Sequence, residues 1–162
     1  MSTPPVQHEP VLAGSVAPAT AFGLVVPGSP DYATLPLLDG FTWQEHLAES
    51  DPGQWYVVAF RSVRLPDADA ALLTAADDWA YEEAARHPGF LHYFKGIANA
   101  RGECLSFCVW KRREDAQEAG RQQGHQAAMQ LTASMYQTYQ LERYILRKPA
   151  RNALLSLEPV AG

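Results

Sequence analysis

Sulfur, positive charge and long apolar runs are all scarce in this sequence, and each scarcity removes a class of function. Lys and Arg number 13 against 18 Asp and Glu, a formal net charge of −5, which argues against an electrostatic partnership with nucleic acid. The one basic cluster, Lys111-Arg112-Arg113, is followed at once by Glu114 and Asp115. No uninterrupted apolar run approaches the ~18 residues that span a bilayer, so no membrane partner is expected. The start, MSTPPVQHEP, has neither the basic opening nor the apolar core of a secretory signal, and the cytoplasm is the expected location. There is no Gly-rich phosphate loop, GxSxG elbow, HExxH helix or Ser-His-Asp constellation. Nucleotide cofactors and serine hydrolysis therefore lack support.

The two cysteines stand four positions apart, in GECLSFCVWKRREDA at 102–116. Aromatic and β-branched neighbours make CLSFCVW, 104–110, a strand. On a strand Cys104 and Cys108 face the same way, with Cα atoms about 13 Å apart. A disulfide tolerates only ~7 Å, and zinc would want closer ligand spacing. Both thiols are expected to be buried as small hydrophobes, with no metal held.

What is present is apolar: 47% of residues, against 19% charged, the balance of one globular domain. Residues 1–53 read as a Pro-rich extended arm. Pro4, Pro5, Pro10, Pro18, Pro27, Pro30 and Pro36 deny it a long helix or a central strand. FGLVVPG and YATLPLLDGF are too apolar for a solvated tail, so these pieces are expected to lie on the domain or on a second subunit. A short helix over 42–49, capped by Thr42, is predicted within it.

The regular domain spans 54–148, with a tail at 149–162. WYVVAFRSV, 55–63, is the first strand. A helix follows, capped by Asp67 or Asp69, with Leu72, Ala76, Trp79, Ala80 and Ala84 recurring at helical spacing. It stops near Arg86, ahead of Pro88-Gly89. FLHYFKGIA, 90–98, is the second strand and pairs with the third through the polar turn Asn99-Ala100-Arg101-Gly102. A helix over 114–136, weakened near Gly124, leads to the last strand, YQLERYILR, 139–147.

Strand-helix-strand-strand-helix-strand is an α+β, ferredoxin-like βαββαβ order, with two helices on one face of an antiparallel sheet. The opposite face carries Val57, Leu105 and Phe107 and cannot be left to water. A second sheet from another copy would cover it, which predicts a homodimer.

Pro88-Gly89-Phe90 at the entry to the second strand, Trp110 closing the third, the charged start Arg113-Glu114-Asp115-Ala116 and His125 in the second helix resemble a family. They are similar to antibiotic-biosynthesis-monooxygenase-like domains of the dimeric α/β-barrel superfamily, over about 54–148. The resemblance implies a ligand cavity between sheet and helices, and a small-molecule oxygenase-like activity on a flat hydrophobic substrate without a cofactor. It also implies an alternative. The haem-degrading branch uses a first-strand Asn, a Trp after the third strand and a helical His as iron ligand. Trp110 and His125 match two of these, whereas WYVVAFRSV has no Asn. A non-enzymatic ligand-binding or assembly module is the third reading.

Candidate site residues follow from chemistry. His125 and His92 could serve as general bases, and His125 as the ligand if haem is bound. His92 is expected to share a face with Phe90 and Phe94. Arg61 and Arg143 could hold a carboxylate or enolate. Trp110, Phe60, Tyr93 and Tyr144 could line the pocket.

Overall fold

Residues 55–63 carry alternate apolar side chains that are buried on two different sides, and that double burial organises the molecule. A computed structural model describes residues 18–162. The elements are α1 (Pro18–Phe22), α2 (Leu37–Gly40), α3 (Trp43–Leu47), β1 (Gly53–Arg64), α4 (Ala70–Ala85), β2 (Phe90–Phe94), β3 (Glu103–Trp110), α5 (Arg113–Gly120), α6 (Gln123–Gln130), α7 (Thr132–Met135), β4 (Tyr136–Lys148) and β5 (Ser156–Pro159). The sheet is antiparallel, in the order β2-β3-β1-β4-β5. Its first four strands have the ferredoxin-like arrangement. β5 adds an edge strand from the tail.

Gly102 makes the β2–β3 turn possible. It sits at φ +80°, and a Cβ there would lie 2.6 Å from the Arg64 carbonyl oxygen. Asp69 caps α4 by accepting the Leu72 N–H at 3.0 Å. Of the stripe read from the sequence, Ala76, Ala80 and Ala84 do face inward, whereas its two largest members do not. Leu73 and Ala76 are buried, whereas Leu72 and Trp79 are 44% and 43% exposed. The helix expected over 114–136 is three pieces, α5 to α7, because the chain breaks between Gly120 and Gln123.

One sheet face packs against α4 to α7. The other carries Val57, Ala59, Leu105, Phe107, Val109 and Leu146, all fully buried. The cover is not a second copy. Residues 21–47 of the same chain supply Phe22, Val25, Leu37, Phe41, Trp43 and Leu47 to one continuous core with them. Phe107 is the centre: Trp43 lies 4.9 Å, Phe41 5.0 Å and Phe94 5.5 Å from its ring. Face-to-face pairing with a twin, expected from the sequence, would need the apolar surface that the arm covers.

Nor does the arm run extended within the described residues. It turns through three short helices and is stitched down by polar contacts. Trp43 Nε1 donates to the Leu37 carbonyl at 3.0 Å, and Gln44 bonds both Ala153 and Leu155 of the tail. Thr42 precedes α3 as expected, but its hydroxyl bonds Val26 rather than capping the helix. The part of the arm before residue 18 lies outside the described residues. Among the described residues, no helix is long and apolar enough to cross a membrane.

Candidate functional site

Between the sheet and helices α4 to α6 lies a cavity of about 320 Å³, at the lower end of small-molecule pockets. Its floor is set by strand register, because directly paired residues share a face. One crosswise row is Phe90, Trp110, Tyr56 and Ile145. The next is Tyr93, Cys108, Val58 and Arg143, about 7 Å further along the strands. Ser106, Phe60 and Leu141 form a third. The helices roof this floor with small residues, Ala76, Ala80 and Ala84 of α4 and Ala119 and Gly120 of α5. Short side chains at these positions leave the space open.

His125 reaches the cavity from α6. It does so because Gly124 lets α6 seat on α4: a Cβ there would lie 3.0 Å from Ala80 N and from the Trp79 carbonyl carbon. Glu83 of α4 then accepts the Gly124 N–H at 2.8 Å, satisfying one free amide at the start of α6. Burial pushes the His125 pKa down, so the ring is neutral near pH 7. Neither ring nitrogen has a hydrogen-bond partner among the described residues. Arg143 lines the same cavity and forms no ion pair among the described residues.

Tyr93 is held. Its hydroxyl donates to Asp77 Oδ1 at 2.6 Å, and Asp77 Oδ2 lies 3.4 Å from Lys95 Nζ. Burial first, then the Asp77 charge and bond, push the Tyr93 phenol far up. Trp110 is also fixed: its indole N–H donates to Cys108 Sγ at 3.0 Å, and its ring meets Phe90 edge-on at 5.4 Å. Both cysteines are free and buried, two rows apart on the floor. Burial raises both thiols, Cys108 to about 12, so they stay protonated and are not nucleophiles.

Phe60, Tyr93, Trp110, His125 and Arg143 thus meet at one cavity. Arg61, His92 and Tyr144 do not; all three face the arm. A register shift between Phe90 and His92 pairs His92 with Val109, so it leaves the face of Phe90 and stands 6.1 Å from the Phe107 ring. Arg61 grips Glu142 at 2.6 and 3.2 Å and donates to the Ala33 carbonyl at 2.6 Å. Tyr144 donates to the same Glu142 at 2.7 Å. These groups fasten the arm to the sheet.

Asp77 is a site residue that the sequence marks only as a carboxylate four residues after Leu73, on the inward stripe of α4. A second polar group, His87, Asp115 and Glu118, has ligand atoms within 4.8 Å of one another. Gly89 N–H donates to His87 Nδ1 at 3.0 Å, which places the ring proton on Nε2, where it meets Glu118 at 2.7 Å. A metal would need that nitrogen bare and the other one protonated. Asp115 packs so tightly on Gly89 that a Cβ there would lie 2.2 Å from its carboxyl. This explains the glycine of Pro88-Gly89-Phe90.

Sheet, helices and cavity together define a ferredoxin-like α+β domain that carries its own cover for the second sheet face. A family model described as PB2B2.08-like matches residues 12–158, and the chain belongs to that family. No curated protein matches its sequence. Protein SO0527 from Shewanella oneidensis has a similar structure, with a TM-score of 0.50 at 14% identity, over 57% of this chain and 90% of that one. SnoaB, a cofactor-independent oxygenase from Streptomyces nogalater, gives 0.47 at 15% identity, over 59% and 95%. A dimeric ferredoxin-like protein of unknown function from Thermobifida fusca gives 0.45 at 12%, over 56% and 90%. At 14% identity the likeness to SO0527 shows the fold alone.

Proposed function

We propose that the chain is a small-molecule oxygenase-like enzyme that acts on a flat hydrophobic substrate between sheet and helices, with no cofactor. The observation that carries this reading is a neutral imidazole without a hydrogen bond and a guanidinium without an ion pair, among the described residues, facing one largely apolar cavity. His125 takes a proton from an acidic methylene, and Arg143 holds the enolate oxygen that results. The substrate carbanion supplies the electrons that bond its carbon to dioxygen. The imidazolium returns its proton to the outer oxygen, giving a hydroperoxide. Loss of the second C–H proton with cleavage of the O–O bond releases water and leaves a ketone. In sum, CH2 and O2 become C=O and H2O.

Anthrone, a flat tricycle with an acidic methylene, is the probe. Oxygen uptake with formation of anthraquinone is expected, and His125→Ala should slow it by about 100-fold. His92→Ala, on the far side of the sheet, should leave it unchanged. Turnover that survives His125→Ala removes the reading. A Soret band on adding haemin, lost in His125→Ala, would make the same ring an axial ligand instead. Binding of anthrone without turnover would leave a ligand-binding module.

A further inference from the structure

Tyr93 and Arg143 stand at opposite ends of one crosswise row, with only Cys108 and Val58 between them. Three strand spacings separate their backbones by about 14 Å. The two ends have opposite hydrogen-bonding character. The Tyr93 proton is committed to Asp77, and Ser106 also bonds the phenol. Asp77 Oδ2 is buried and, among the described residues, has only the Lys95 ammonium near it, at ion-pair rather than hydrogen-bond geometry. The nearby Lys95 ammonium is engaged by Asp77 at 3.4 Å and Asp78 at 3.2 Å, with its side chain 43% exposed. At the Tyr93 hydroxyl itself this end offers lone pairs; the cations Lys95 and Arg64, which line the same cavity, lie further along their strands than this row. Arg143 can only donate. Between them the floor is a buried sulfur and a valine, without charge.

We propose that the cavity takes a flat molecule lying across this row, with an anionic oxygen toward Arg143 and a hydrogen-bond-donating hydroxyl toward the Tyr93–Asp77 pair. The ligand class is a hydroxylated aromatic acid or acidic enol, with donor and anion at opposite ends. A molecule with acceptors at both ends would set lone pair against lone pair at Tyr93. One with donors at both ends would leave the Arg143 charge unanswered. This orientation rests on the cavity being a small-molecule site, but not on reaction with dioxygen.

Four flat probes test it by isothermal titration calorimetry on the full chain: 6-hydroxy-2-naphthoate, its methoxy analogue, unsubstituted naphthoate and 2-naphthol. The hydroxy acid should bind tightest. Loss or methylation of the hydroxyl, or loss of the carboxylate, should each weaken binding about tenfold. Asp77→Asn, which turns the buried acceptor into a donor, should erase the preference for hydroxyl over methoxy and keep the preference for carboxylate. Arg143→Gln should do the reverse. Equal binding of hydroxy and methoxy acids, or no binding of any probe, overturns the proposal. Ordered binding with no oxygen chemistry would sink only the oxygenase reading; anthrone turnover with unordered binding would sink only this one.

Discussion

The Lys148 ammonium donates to the Ala48 carbonyl at 2.6 Å, joining the last residue of β4 to the C-terminal end of α3. The carbonyls of Leu47 and Ser50 accept from the same ammonium, the latter at 2.8 Å. The side chain is 1% exposed, so this cation is compensated by the carbonyls at a helix end rather than by water. Lys148→Met would keep the apolar stem and take the charged donor from all three carbonyls, leaving Leu47 with the bonds from Ser50 and Ala48 with the bond from Asn152. A loss of about 3 kcal/mol is expected in urea unfolding, and an unchanged midpoint would show that the arm is not pinned here.

Because the arm occupies the face that a twin would need, the chain should run as a monomer of 17.9 kDa in multi-angle light scattering. The same core predicts slow amide exchange in α3, whose Trp43 and Leu47 are buried. Twice that mass together with fast exchange over 43–47 would mean the arm is displaced and the sheets pair after all.

Arg61 ties acid stability to the arm. Burial raises the Glu142 pKa, but the bonds from Arg61 and Tyr144 and the Arg61 charge outweigh it, so the carboxyl titrates below its usual 4.5. A depressed carboxyl stabilises the fold fully above its unfolded value, and that stabilisation is lost as pH falls through the folded value. Urea midpoints should drop steeply below about pH 4.5 in the native chain. Arg61→Met should flatten this slope, and a slope unaltered by the substitution would remove Glu142 from the acid response.

Much of this was legible in the sequence. Dense aromatic and β-branched residues marked β1, β3 and β4, and Pro88-Gly89 marked the end of α4. The two cysteines were readable as inert strand residues from spacing alone. The identity of the cover was not. FGLVVPG and YATLPLLDGF look the same whether they pack on their own sheet or on a neighbour's. Arg61, His92 and Tyr144 were misplaced for a related reason. Strand periodicity says which residues share a face but not which face looks to the helices, and the bulge at Phe90–His92 moves His92 across the sheet. On α4, Ala76, Ala80 and Ala84 face inward as their spacing implies, but Leu72 and Trp79 are apolar and face water, while Asp77 is charged and points inward.

His125 titration separates the proton-transfer role from mere presence in the cavity. Burial lowers its pKa from 6.5, so the neutral, proton-accepting form should persist to more acidic pH than for a free imidazole. Its ring-proton NMR signal should titrate with a midpoint below 6.5, and the acid limb of kcat/KM with anthrone should follow that midpoint. A midpoint at or above that of free imidazole, or a rate profile that ignores it, would deny His125 the role of base.

Gly124 makes the sharpest test of how His125 is placed. A methyl group at this position would lie 3.0 Å from backbone atoms of Trp79 and Ala80. Backbone cannot swing aside as a side chain can, so Gly124→Ala must push α6 off α4 by a few tenths of an ångström or strain both. The stability cost should be about 1–3 kcal/mol. The same shift lengthens the 2.8 Å bond from Gly124 N–H to Glu83 and moves the imidazole relative to Arg143 across the floor. Activity on anthrone should therefore fall more than stability does, with kcat reduced and KM little changed, because the base is misplaced rather than lost. If instead kcat is intact while the urea midpoint drops, α6 holds the fold together without setting the geometry of proton transfer.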